Sequence, residues 1–385
     1  MKTSFVSKQV KTALSVHDLK SQIGFAKLRS EKEKEELTLA QEISQFLERE
    51  KKKHKSRKHM RSLKYSLELL KELSNAGSIK DIDFQCAEDL TQALFLFPAR
   101  RNQQPKLEKL QGYEAIVATL EHGLDTIEKS TVLGIVQRWS SFGKYCVKRE
   151  FTKTNVFSGL ISKSEVTYNK RHPFSDEQLS KIFAMQDYAN HKYLHPYYYW
   201  IPLLLRFTGA RLNELCTLYT SSIVYVDSIP CLVINDTLEA QRIKNRNSVR
   251  LIPIHHRLID LGFLKFVNSL EDGLIFKELK EVNGYLSHNV SKWFSRRRQK
   301  LELKKGFDCY SFRHRFITEL RERDVSFPCI MSLAGHLSND EEKDLDQWLN
   351  SHTNRSYSHP MSPRVTQPII ESIDCSHTKH LRPFS

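Results

Sequence analysis

Eight residues in the second half of the chain are of types that do chemistry: Arg211, Glu214, Lys244, Tyr310, Arg313, His314, His336 and Tyr357. Arginines grip phosphate oxygens, lysine and histidine carry protons, and an activated tyrosine is a nucleophile. Taken singly, each also has an ordinary explanation. Arg211 follows the turn Thr208-Gly209-Ala210, and Glu214 lies three residues on, the spacing of a helical surface ion pair. Lys244 sits in the polar stretch Arg242-Ile243-Lys244-Asn245-Arg246-Asn247-Ser248, which reads as a solvated hairpin tip. Arg313 and His314 stand among aromatics in Tyr310-Ser311-Phe312-Arg313-His314-Arg315-Phe316, as cations do at a snorkelling helix edge. His336 follows Gly335, a place for a helix-terminal cap, and Tyr357 is one of 14 tyrosines.

The elements that must position these residues change character along the chain. In residues 31–50, Leu37, Leu39, Ile43, Phe46 and Leu47 form one apolar stripe at helical spacing. A second stripe, Leu63, Leu67, Leu70 and Leu73, stops near Asn75-Ala76-Gly77, a C-cap signal. Asp81 to Phe97 reads as a helix ended by Pro98, and Ser130 to Lys148 as another, with Ser130 as its cap. Residues 161–171 are polar and basic, as a linker is. Beyond them Ser175 caps a helix, and Tyr197 to Phe207 is apolar all round, the mark of a buried helix. Three strand-like runs follow, Ser222 to Val226, Cys231 to Ile234 and Val249 to Ile254. Helices resume from Leu258. The fold class is therefore mainly α, with a small antiparallel β-sheet inside a C-terminal α+β domain and a helical N-terminal domain before it.

Composition narrows the partner. The chain has 385 residues and a formal charge of +15. Residues 1–170 hold 31 Lys and Arg against 21 Asp and Glu, a net of +10, and the remainder carries +5. The excess peaks between Arg49 and Arg61, where eight of thirteen residues are Lys or Arg. A polyanion is the natural partner of such a chain, with Lys51, Lys52, Lys53, Lys55, Arg57, Lys58 and Arg61 as candidate backbone contacts for DNA. A solvated linker or helix face explains an isolated basic run equally well. Seven scattered cysteines without C-x-x-C spacing indicate neither a zinc site nor a disulfide framework. No apolar stretch is long enough to span a bilayer, and no signal-peptide core follows Met1, so a cytoplasmic protein is expected.

In combination the motifs are specific. TGARLNEL (208–215), KNRNSVRLIPI (244–254), YSFRHRF (310–316), LAGH (333–336) and the late Tyr357 resemble, in that order, the catalytic domain of the tyrosine recombinase (phage integrase) family. Integrases of bacterial mobile elements are the most similar group. The resemblance implies a core-binding domain at 61–165, a catalytic domain at 170–360, a basic arm or linker at 1–60, and a tail at 361–385 that could be exchanged between protomers. It implies double-stranded DNA as substrate, a tetramer on DNA, nucleoid association when bound, and no metal or other cofactor. Arg211 and Arg313 would clamp the phosphate, Lys244 would protonate the leaving 5′-oxygen, and His336 would hydrogen-bond the phosphate. Tyr357 would attack phosphorus to form a 3′-phosphotyrosyl enzyme. Glu214 is then a buttress for the arginines and His314 a structural neighbour.

The sequence departs from the family pattern twice. Tyr310 stands where the family usually has His, three residues before the second arginine, and an ordinary phenol is a poor base at neutral pH. It could instead donate a hydrogen bond to the phosphate. The interval from His336 to Tyr357 is long and carries the acidic stretch Asp340 to Asp346, yet no other tyrosine follows His336. Three readings stand beside mobile-element recombination: a chromosome-dimer resolvase, a type IB topoisomerase, and a DNA-binding architectural or regulatory protein with a decayed active site.

Overall fold

The computed structural model describes residues 37–53, 56–162, 171–241, 249–335 and 361–384. The chain divides into two compact units, Met1–Thr167 and Tyr168–Ser385.

The first unit is helical: α1 (Leu39–Lys51), α2 (Arg57–Ser74), α3 (Phe84–Phe95), α4 (Gly112–Glu121) and α5 (Lys129–Lys148). Thr38 starts α1 with a capping box, its hydroxyl accepting from the Gln41 amide while the Gln41 side chain accepts from the Thr38 amide. Asn75 ends α2 in the left-handed conformation, where the C-cap signal falls. Helix α5 begins at Lys129 with Glu128 as its N-cap, so Ser130 lies inside it and caps nothing. The leucine stripe of α2 packs around Trp139, whose indole N–H donates to the Ser66 carbonyl at 2.6 Å. Leu39, Ile43 and Phe46 of α1 enter the same core, and Phe46 meets the rings of Phe142 and Tyr145. Residues 39–51 are thus built into this unit rather than forming an arm outside it. The reason is local: the apolar face of α1 has a partner in α2 and α5. Its buried Glu42 accepts from the Ile79 amide at 2.9 Å.

The second unit contains α6 (Asp176–Phe183), α7 (Gln186–Ala189), α8 (Pro196–Thr208), α9 (Leu212–Cys216), a sheet of β1 (Ile223–Val226), β2 (Ile229–Ile234) and β3 (Arg250–Pro253), then α10 (His256–Asp260), α11 (Phe263–Asn268), α12 (Ser287–Lys300), α13 (Cys309–Glu322), α14 (Phe327–Ala334) and α15 (Pro363–Glu371). Ser175 caps α6 with its own capping box. The sheet runs in the order β1-β2-β3, all antiparallel, with Leu232 opposite both Ile223 and Ile252. Helix α8 is buried all round, its neighbours leaving only Tyr198 and Pro196 partly accessible, and it is apolar save for Arg206 and Thr208. Among the described residues no helix is long and apolar enough to cross a membrane.

Residues 361–384 fold back on this same unit. Ile370 and Ile373 join its core, and the Phe384 ring packs among Tyr193, Tyr199, Trp200 and Phe266. Ile369, partly buried, packs against the same core.

Gly209 is the joint between α8 and the first chemical motif. It has φ +59, and a Cβ there would lie 2.3 Å from the Phe316 ring of α13. Both the left-handed backbone and the close helix approach demand glycine. Gly209→Ala should therefore lower the stability of the second unit by about 2 kcal/mol or more, measured as a shift of its urea midpoint.

Candidate functional site

Arg211 is the N-cap of α9, directly after the Gly209 turn. Its backbone N–H donates to Glu214 Oε2 at 2.9 Å and its Nη1 to Oε1 at 2.8 Å. The i, i+3 pair read from the sequence is present, but it is no surface pair. Glu214 is buried and also accepts from Nη2 of Arg250 at 2.7 Å. Burial pushes the Glu214 carboxyl up, yet the guanidiniums of Arg250 and Arg211 overcome this and hold it at about 2. It is a permanent carboxylate with two cations hung on it.

Arg313 lies in the second turn of α13, which Asp308 caps by accepting from the Tyr310 amide at 2.7 Å. The cap directs Arg313 inward, where its side chain is fully buried. Nη1 donates to the Gly209 carbonyl at 2.8 Å and to the Ala334 carbonyl at the end of α14. Burial, with Arg211 and Arg250 adding repulsion, lowers its guanidinium to about 10, so it stays charged at neutral pH. Tyr310 sits one turn earlier on α13. Its ring meets His314 edge-on with centroids 4.8 Å apart, and the Arg171 guanidinium lies 5.0 Å from its ring centre. Arg171 is fixed there by Asp308 at 3.1 Å. His314 thus packs on Tyr310.

Lys244, His336 and Tyr357 lie outside the described residues. Their flanks are described. The connection carrying Lys244 leaves β2 and returns at β3, and His336 follows Gly335 at the end of α14. Of the candidate DNA contacts, Lys55 is outside the described residues, and Lys51, Lys52, Lys53, Arg57, Lys58 and Arg61 are all exposed where α1 passes into α2. Lys53 pairs with Glu50. Arg49, from the same basic run, instead lies over the Tyr145 ring at 5.2 Å.

Sequence reasoning missed Arg250. The signal was available: Arg250, Ile252 and Ile254 alternate along one strand, and that parity faces the core. It also missed a second buried network behind the site. Arg206 of α8 donates to Glu319 of α13 at 2.7 Å, to the Asp374 carbonyl at 2.9 Å and to His377 Nε2 at 3.1 Å. His255 stands beside it. His255 Nδ1 accepts from the Arg257 amide at 2.9 Å, leaving Nε2–H to donate to the Ile373 carbonyl at 3.2 Å. His255, His256 and Glu371 bring their ligand atoms within 4.8 Å of one another. Both ring nitrogens of His255 are committed to backbone, so the trio serves as an anchor for the tail.

No family model matches the chain. A protein of Thermosipho africanus named tyrosine recombinase is 26% identical over 133 residues, which is 34% of this chain and 43% of that protein. The match thus spans less than half of that relative. Among solved structures, the Tn1549 transposon integrase in complex with a circular intermediate DNA superposes with a TM-score of 0.55 at 14% identity, over 86% of this chain and 99% of the other. A lambda integrase dimer bound to a core site gives 0.53 at 14%, over 89% and 87%. The lambda integrase tetramer bound to a Holliday junction gives 0.51 at 14%, over 84% and 87%. At these identities the structures establish the fold. The chain is thus similar in sequence to a protein named tyrosine recombinase and shares the fold of the Tn1549 and lambda integrases.

The tail network has a consequence for pH. Burial is the main reason the imidazoles of His255 and His377 fall to about 4 from the usual 6.5, with Arg206 contributing to both. Unfolded, both take a proton as pH falls through about 6.5; folded, they stay neutral down to about 4. The unfolded state binds more protons in that window, so stability is lost as pH drops from about 6.5 to about 4. Urea denaturation at pH 7, 5.5 and 4.5 should show this loss, and His377→Gln should flatten part of it. An unchanged slope in the variant would remove His377 from the explanation.

Proposed function

We propose that the chain is a site-specific DNA recombinase that cuts and rejoins DNA through a 3′-phosphotyrosyl intermediate, integrating or excising a mobile element. The observation that carries this reading is the charge at the site. Arg211 and Arg250 pair with one carboxylate, Glu214, and the buried Arg313 lies near enough for both arginines to repel it. Guanidiniums gathered in this way suit an anion, and a phosphodiester is one. Arg211, partly accessible, and Arg313, locked by two carbonyls, would grip the non-bridging oxygens.

Lys244, His336 and Tyr357 enter on sequence grounds. Lys244 would protonate the leaving 5′-oxygen, His336 would hydrogen-bond the phosphate, and Tyr357 would attack phosphorus. The attack transfers the 3′-phosphate to the phenol oxygen and releases a 5′-hydroxyl. The reverse attack by a 5′-hydroxyl restores the diester, so no ATP is consumed. Tyr310 would act as a hydrogen-bond donor rather than a base. Chain organisation follows from this reading: a DNA-gripping helical unit, a catalytic unit, and a homotetramer on two duplexes. It would act in the cytoplasm, associated with the nucleoid when on DNA.

A nicked suicide duplex carrying the element's end sequence tests the proposal. Wild type should form a covalent adduct on a denaturing gel, and Tyr357→Phe should bind the duplex but form none. Absence of adduct from wild type on its proper site would favour a DNA-binding protein without cleavage. Relaxation of any supercoiled plasmid without strand exchange would indicate a topoisomerase. The basic run has its own test. Replacing Lys51, Lys52, Lys53, Arg57, Lys58 and Arg61 by Ala should reduce the slope of log affinity against log salt by roughly 0.9 for each phosphate that the variant no longer neutralises. A slope equal to that of wild type would assign those cations to solvent.

A further inference from the structure

Arg250 begins β3, opposite Ile234 in the ladder, and its guanidinium is buried at 2% exposure. A cation in that position needs partners, and those it has belong to different motifs. Nη2 donates to Glu214 Oε2 at 2.7 Å, and that carboxylate holds both the backbone and the side chain of Arg211. Nε donates to the Leu333 carbonyl at 2.8 Å. Leu333 and Ala334 supply the last carbonyls of α14, groups that no further helical turn can satisfy. Arg250 takes the first and Arg313 takes the second. The negative end of the α14 dipole thus seats two guanidiniums side by side. Gly335 follows with φ +74, and a Cβ there would come within 3.1 Å of Arg250 Nη1. A side chain at 335 would press on the same guanidinium. Arg250 also closes the connection that carries Lys244.

We infer that Arg250 is a positioning residue for strand cleavage, holding the Arg211 clamp in register with the end of α14 from which the chain passes into His336. The inference rests on the recombinase reading above. A planar fork is required, because Nε and Nη2 point to different partners. A lysine keeps the charge but offers a single ammonium in place of that fork.

Single-turnover cleavage of the suicide duplex at saturating protein separates positioning from binding. Arg250→Lys should cleave about 100-fold more slowly than wild type, with affinity for intact duplex within about twofold. Arg250→Gln should additionally acquire an acid limb. Without its strongest cation the Glu214 carboxyl rises from about 2 toward the ordinary range. The variant then loses rate as pH falls toward 5, and Glu214→Gln in the same background abolishes that limb. A variant that merely folded less well would lose adduct by the same factor at every pH. Arg250→Lys cleaving within twofold of wild type would overturn the inference and leave the recombinase reading intact. If wild type itself forms no adduct, the recombinase reading fails, and with it a role in cleavage. The physical link is then read in the free protein, where the backbone amide signals of Arg211 and Gly335 should both shift in Arg250→Lys. If either stays in place, the coupling is absent as well.

Discussion

The second unit depends on one buried carboxylate. Glu214 is nearly out of contact with water, a placement that costs several kcal/mol for an ion without partners. Two guanidiniums and a backbone N–H offset that cost and leave the carboxylate charged. Because the partners come from the α9 N-terminus and from β3, satisfying the carboxylate also sets where a helix and a sheet meet. The arginine it fixes on its exposed side is the one available to a ligand. Its own identity as Glu rather than Gln matters for the same reason: a neutral amide would leave two converging cations uncompensated.

Helix α13 is held from both faces. Toward the site it presents Arg313, bonded to the turn after α8 and to the end of α14. Two turns on, Glu319 accepts from Arg206 and from the Asp374 amide. Burial opposes ionisation of Glu319, but Arg206 and that amide hold its carboxyl below the ordinary range. Two arginines thus tie α13 to α8 and the turn after it, Arg313 donating from α13 and Arg206 donating to Glu319 of α13. Such a helix cannot slide along its axis without breaking charged hydrogen bonds, and its position fixes Arg313 relative to Arg211.

Local signals in the sequence survived into three dimensions. The Thr208-Gly209-Ala210 turn, the i+3 spacing of Glu214, the Ser175 capping box and the Asn75 C-cap all depend on residues within a few positions of one another. Strand boundaries and the all-round apolar helix were legible on the same grounds. What stayed hidden was long-range pairing. Arg250 is 36 residues from Glu214 and 83 from Leu333, and Arg206 is 171 from His377. No periodicity encodes such partners, so a buried arginine in a strand reads as one more basic residue. In the first unit, charge alone leaves residues 49–61 open between a DNA contact, a linker and a helix face, while the apolar stripes flanking them mark the shared core.

The tail gives the second unit an order of assembly. Among the described residues, the buried core of the helical unit lies between Leu39 and Phe157, all of it synthesised before the second unit. The second core is different, because it recruits Ile370, Ile373 and Leu381 and closes over Phe384. Domains fold as units and the N-terminal one leaves the ribosome first. A growing chain can therefore present a finished basic surface while Arg206, Glu319 and the α13 they fix still await the last residues of the tail. The exposed basic surface of the first unit is available early in synthesis, and the bracing of α13 comes after it.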